Sequence, residues 1–300
     1  MEPKVQALLP SFRKLLAEHP ELDAEFIEST ILPSVGLTAH RVPQDQLALG
    51  ASRLGGIPDV PPDFEWPRWL APPTWWDKLR ARWQPRTPTP LGFLAQVNLS
   101  EMPCIDPAMP LTGWLYFFYD FYRCPWGFDP TDREAFRVFY IDCLVSRLKR
   151  AMMPADSNRK HVDHACRVEA QAMLTLPDAL PDEVADDDQF GAYDELRERL
   201  PDADGHRLLG HPQIVQGPME LECQLASNGL YCGTAAGYDD PRAKALEAGA
   251  VDWRLLLQID TDEDGPGWMW GDLGKIYFWI KKQDLAARRF DGVWLILQCT

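Results

Sequence analysis

Apolar residues recur along this chain in two rhythms, a helical one at the start and a strand-like one afterwards. Val5, Leu8, Leu9, Phe12, Leu15 and Leu16 fall at i, i+3, i+4, i+7 spacing, which places them on one helical face that Pro20 brings to an end. A second helix is predicted over residues 21–31, with Leu22, Phe26, Ile27 and Ile31 toward a common side ahead of Pro33. Further on, residues 93–99, 113–120 and 136–144 are aromatic and β-branched runs separated by Pro, Gly and Asp clusters, the pattern of strands and turns. Residues 254–259, 275–280 and 293–298 have the same character. Between the two sets, residues 181–200 combine the run Asp186-Asp187-Asp188 with an amphipathic stretch through Phe190, Tyr193, Leu196 and Leu200. This predicts a surface helix entered from acidic residues, whose charge suits the positive end of the helix dipole.

The two strand sets are copies. Arg53-Leu54-Gly55-Gly56-Ile57-Pro58 returns as Arg207-Leu208-Leu209-Gly210-His211-Pro212. Leu94-Ala95-Gln96-Val97-Asn98 returns as Leu256-Leu257-Gln258-Ile259-Asp260, and Gly113-Trp114-Leu115-Tyr116-Phe117-Phe118 as Gly274-Lys275-Ile276-Tyr277-Phe278-Trp279. The offsets are 154, 162 and 161 residues, so three blocks recur in one order at nearly one spacing, the mark of a duplicated unit. The expected fold class is α+β, an internally duplicated unit with mainly antiparallel sheets plus N-terminal helices. Its expected divisions are an N-terminal helical segment (1–50), a first repeat half (51–176), an acidic linker helix (177–204) and a second repeat half (205–300), the halves forming one compact body.

Charge changes the functional picture more than composition does. With 46% hydrophobic residues the chain has enough apolar material for a large core. Its formal charge is -15, and eleven acidic against two basic residues lie between Asp178 and Asp204. Such a surface repels phosphate backbones, so nucleic acid is not an expected partner. A basic protein is, for instance a toxic nuclease. No apolar run approaches the ~18 residues of a membrane span, and no leader pattern opens the chain, so the expected setting is cytoplasmic, without a membrane partner. The seven cysteines contain no Cys-x-x-Cys pair, which predicts reduced thiols rather than a disulfide framework or zinc ribbon.

Candidate chemistry is sparse. Asp260-x-Asp262-x-Asp264-Gly265 opens like a calcium loop, but the position of the closing Glu is Gly271, and Asp272 comes one residue late. Its flanks read as strands, so an acidic hairpin turn is expected. His161 and His164 are three residues apart, short of the ligand set zinc requires. Neither a metal nor a cofactor is expected. Gly-x-Ser-x-Gly, Walker and Gly-x-Gly-x-x-Gly motifs are missing. Gln96 and Gln258 sit at equivalent places in the two halves, and a polar side chain held twice in an apolar strand either bonds backbone to lock a turn or faces a shared cleft. Five of the twelve tryptophans fall at 66, 69, 75, 76 and 83. Adjacent Trp75 and Trp76 cannot both face inward from one helix; Trp76, Leu79 and Trp83 share a stripe while Trp75 and Trp69 are expected to face elsewhere, so these rings are candidates for partner contact.

The blocks from Ser52 (SRLGGIPDVPPDFEWP), Pro90 (PLGFLAQVNLSEMP) and Gly113 (GWLYFFYD), together with those from Trp253 and Phe290, resemble the YwqG-like family of bacterial proteins, which carry a domain of unknown function. The resemblance implies an α+β fold with a duplicated core and hands over no catalytic residues. The expected function is a non-enzymatic protein-binding module, an immunity protein that neutralises a basic toxic effector, with Trp69, Trp75, Trp76, Asp186, Asp187 and Asp188 as partner-binding residues. The alternative is a small-molecule-binding protein or hydrolase with a cleft between the halves at Gln96, Gln258, Asp260 and Asp272.

Overall fold

The run Trp114–Tyr119 is buried at every position, and a strand so composed must be covered on both faces. Alternate side chains divide cleanly. Leu115, Phe117 and Tyr119 enter the main core, while Trp114, Tyr116 and Phe118 enter a smaller one. The computed structural model describes residues 2–73, 87–157, 164–180, 187–202 and 205–300. Its strands are β1 (Leu32–Val42), β2 (Arg53–Gly55), β3 (Asp59–Val60), β4 (Arg68–Trp69), β5 (Thr89–Pro90), β6 (Gly92–Asn98) and β7 (Trp114–Tyr119). They continue as β8 (Phe136–Ile141), β9 (Lys149–Arg150), β10 (Ala165–Thr175), β11 (Arg207–Leu208), β12 (Trp253–Asp260), β13 (Lys275–Lys281) and β14 (Trp294–Gln298).

Ten of these form one sheet in the order β14-β13-β12-β11-β1-β10-β2-β6-β7-β8. All its pairings are antiparallel. The central pair β1–β10 joins two arms of equivalent make-up, β2-β6-β7-β8 and β11-β12-β13-β14. Even the irregularity is duplicated: the register slips between Phe93 and Ala95 in one arm and between Leu255 and Leu257 in the other, a bulge that raises local twist. Twist brings the arms face to face. Phe117 of β7 meets Phe278 of β13 with ring centroids 5.0 Å apart, and Phe136 of β8 meets Trp294 of β14 at 5.6 Å. Edge strand β14 is also covered, since Leu297 N–H donates to the Trp126 carbonyl at 2.9 Å and Trp294 Nε1 to that of Gly127 at 2.9 Å. An edge so capped offers fewer free groups to another chain.

The protein is therefore an α+β fold built on a duplicated antiparallel unit, with helices Pro3–Gln6, Leu9–Leu16 and Ala24–Thr30 preceding it. These helices send Val5, Phe12, Leu16 and Ile27 into the main core. The first predicted helix is interrupted, with Pro10 in the opening turn of its second piece, where a missing N–H costs nothing. Asp23 caps the third by accepting from Glu25 and Phe26 N–H. Beyond Thr30 the 1–50 segment, expected to be helical, forms strand β1 instead, because it pairs along its whole length with β10. The outer faces of the two arms are covered differently. Residues 60–71, with Trp66 edge-on to Phe118 at 5.3 Å, cover the first arm. Helix Glu220–Ser227, with Cys223, Leu225 and Ala226 buried, covers the second. All seven cysteines are free thiols, and no described helix is long and apolar enough to cross a membrane.

Candidate functional site

Each half ties its arm together with the same knot of buried polar groups. Gln96 accepts the Asp59 N–H at 2.7 Å and donates to the Ala51 carbonyl at 2.9 Å. Gln258 accepts the Gln213 N–H at 2.8 Å and donates to the Gly205 carbonyl at 2.6 Å. Tyr116 gives its hydroxyl proton to the Asp59 carbonyl at 2.6 Å, and Tyr277 does the same to Gln213 at 2.5 Å. Arg53 lies across the ladder from Gln96 and Arg207 across from Gln258. Their guanidinium groups reach the carbonyls of Ile57 at 2.9 Å and His211 at 3.2 Å. The Asn98 N–H donates to Ser52 Oγ at 2.9 Å, and the Asp260 N–H to His206 Nδ1 at 3.1 Å. The backbone can curl around each arginine because two successive residues are left-handed: Gly55 and Gly56 at φ 65° and 69°, Leu209 and Gly210 at 57° and 78°. A third glutamine, Gln298, accepts from Val215 and Gln216 N–H and donates to the Gly217 carbonyl at 2.8 Å, pinning the loop after Gln213.

The knots differ in how the arginine is neutralised. In the first half Asp59 is completely buried and pairs with both Arg53 and Arg150. Arg150 also donates to the Gln44 and Leu47 carbonyls, and the β3–β9 pair lays it over the knot. Burial pushes the Arg53 guanidinium down to about 10, with Asp59 opposing that shift. In the second half the residue equivalent to Asp59 is Gln213, and Arg207 pairs instead with Asp202, whose side chain is 54% exposed. Burial lowers Arg207 as well, and Asp202 again works against it. No counterpart of the β3–β9 pair lies over this knot among the described residues. What lies there is a groove of about 350 Å³ between helix Asp187–Glu198 and the start of β11.

The predicted cleft residues are engaged by their own loops. The space between the arms is filled with rings, Phe117 on Phe278 and Tyr119 on Trp270 at 5.9 Å. Gln96 and Gln258 serve the two separate knots. Asp260 pairs with Lys275, and Asp272 is exposed, its carbonyl accepting the Thr300 N–H at 3.1 Å. The calcium-like stretch is the acidic turn expected of it: Asp262 accepts the Gly265 N–H at 2.7 Å and faces His206 Nε2 at 3.2 Å. The His206 hydrogen bond holds the Asp262 carboxyl below its ordinary range. His206 Nδ1 accepts the Asp260 N–H, which leaves Nε2 as the ring nitrogen that donates to Asp262. No three His, Cys, Asp or Glu side chains converge as a metal site among the described residues.

Of the partner-binding candidates, Trp69 does not face outward. It is 5% exposed and belongs to the smaller core, because the sheet's outer face needs an apolar cover. Trp75, Trp76 and Asp186 lie outside the described residues, as does His161, while Asp187 and Asp188 open helix Asp187–Glu198. Sequence reasoning missed the arginines, although Arg53 and Arg207 head the repeated blocks. An arginine kept beside a glutamine in both copies was the available signal.

A comparison with curated proteins found no match. A family model described as a domain of unknown function, DUF1963, matches residues 52–299, from the first knot to the end of the second arm, and the chain belongs to that family.

Proposed function

We propose that this protein is a non-enzymatic, cytoplasmic binding module that holds an acidic helix toward a basic protein partner, in the manner of an immunity protein neutralising a toxic nuclease. The observation that carries this reading is how firmly helix Asp187–Glu198 is held. Ala192, Tyr193 and Leu196 are buried beneath it. Tyr193 donates to the Pro177 carbonyl at 2.9 Å and Gln189 to that of Glu21 at 2.9 Å, and Arg199 pairs with Glu18 at 2.9 Å. Asp194, Glu195 and Glu198 stay exposed on its outer side. A carboxylate face held in place loses little freedom on binding and steers a basic partner from a distance. In this reading Asp186, Asp187 and Asp188 add negative charge to the same segment of chain, and Trp75 and Trp76 are the aromatic anchors. The resemblance to YwqG-like bacterial proteins is compatible with it.

The test uses the product of the neighbouring reading frame. Binding is measured for the full chain and for a variant with Lys at Asp186, Asp187, Asp188 and Glu195, at low and high salt. Tight binding that weakens with salt and is lost in the variant supports the reading; binding indifferent to both changes refutes it.

A further inference from the structure

The two knots solve one problem, a buried guanidinium, in two ways. The first half seals Arg53 with an internal Asp59 and roofs it with Arg150. The second half has Gln213 where Asp59 would be, and draws its counter-charge from Asp202, which stands at the groove. The Arg207 side chain is only 7% exposed, and its Nε has no hydrogen-bond partner among the described residues. The fold does not require this arrangement, since the sealed version stands in the same molecule.

Three properties of the groove define what it would hold. A carboxylate already fits the planar guanidinium fork, as Asp202 demonstrates, and a solvent-exposed side chain is a weak competitor for that position. Charges of both signs line the groove, Arg197 and Arg207 against Asp194, Glu198 and Asp202, so a simple anion meets repulsion that a dipolar molecule avoids. Leu174, Leu200 and Pro212 add apolar surface. The cavity, about 350 Å³, has the size of small-molecule sites.

We propose that this groove binds a small α-amino-acid zwitterion, its carboxylate replacing Asp202 on Arg207 beside Arg197 and its ammonium group facing Asp194 and Glu198. The groove shares Asp194 and Glu198 with the acidic helix of the partner-binding reading, but the charge-reversal variant of that test leaves both unchanged, so the two readings can fail independently.

The experiment is calorimetric titration of the full chain with each proteinogenic α-amino acid, its des-amino carboxylate and its decarboxylated amine, at up to about 10 mM so that a millimolar site is saturated. At least one amino acid is expected to bind, with both truncated analogues weaker by about tenfold or more. Gln213→Asp combined with Asp202→Asn rebuilds the sealed first-half arrangement and is expected to abolish binding while circular dichroism and the melting profile stay native. Should that variant not fold, Arg197→Gln at the partly exposed wall is expected to weaken binding about tenfold. The proposal is overturned if no amino acid binds, if the des-amino carboxylates bind equally well, if the folded double variant binds like the parent, or if Arg197→Gln changes nothing.

Discussion

Replacing Asp59 by Asn removes the charge at the centre of the first knot without changing its shape, and the equivalent change at Asp202 does the same in the second. Asp59 Oδ2 accepts from Gly50 N–H at 2.8 Å and from Arg53, and Oδ1 accepts from Arg150. Both Arg53 and Asp59 are wholly withdrawn from water, so Asp59→Asn would leave a buried guanidinium without its counter-ion and point an amide N–H₂ at one or two of the three donors. Breaking a buried ion pair from one side costs about 3–5 kcal/mol. Asp202 is half exposed, so water at the groove screens its charge although Arg207 itself is buried, and Asp202→Asn is expected to cost less, about 1 kcal/mol. For a chain of this size one kcal/mol moves the melting temperature by about 2–4 °C, which puts the Asp59→Asn loss near 10 °C and the other within a few degrees. Urea denaturation at pH 7 with both variants and the parent measures the difference. Equal losses at the two sites, or a loss at Asp59 below about 1 kcal/mol, would show that the first knot is no more sealed than the second.

Other outcomes follow from particular side chains. Burial pushes the Glu222 carboxyl up to about 7 from an ordinary 4.5, so the native state binds this proton more tightly than the unfolded chain does. That contribution to stability is present below about pH 4.5 and fades as pH rises through 7. Glu222→Gln should therefore stabilise the protein at pH 8 by about 1–3 kcal/mol and have almost no effect at pH 4.5; thermal melts at both values test it, and an equal gain at both would contradict it. Asp132, raised to about 6 by burial against an opposing hydrogen bond from the Gly127 N–H, contributes with the same sign. Gly56 has φ 69°, and a Cβ there would lie 2.3 Å from Gln44 Oε1 and 2.6 Å from the Ala165 Cβ, so Gly56→Ala should cost about 2–4 kcal/mol in denaturant titrations. Gly191 sits in an exposed turn of helix Asp187–Glu198 with nothing within 4 Å of a built Cβ, and Gly191→Ala should stabilise by about 0.5–1 kcal/mol on the same assay.

Strands β6, β7, β8, β12, β13 and β14 lie within a residue or two of the runs read from the sequence, apart from the longer run at 136–144, because each is dense in aromatic and branched residues. The central pair was not legible. Strand β10 alternates exposed and partly buried positions around Arg167 and Glu169, β1 carries the polar Thr38, His40 and Arg41 in its second half, and they become strands because eleven residues pair with eleven across the middle of the sheet. The knots were half legible. The repeated glutamines were visible as polar residues in apolar strands, but their partners were set by loops folding back from 45 residues away, Ala51 to Gln96 and Gln213 to Gln258.

What the chain determined on its own was local and repetitive: apolar rhythm, the duplicated blocks and the acidic helix. Those depend on side-chain volume, charge and backbone freedom within a few residues. Tertiary structure alone decided that Asp59 meets Arg150 across 91 positions, that aromatic rings fill the space between the arms, and that one of two like arginines is roofed while the other borders a groove. Burial and charge pairing depend on which distant segments exclude water from a point, and two nearly identical blocks acquired opposite environments because different chain covered them.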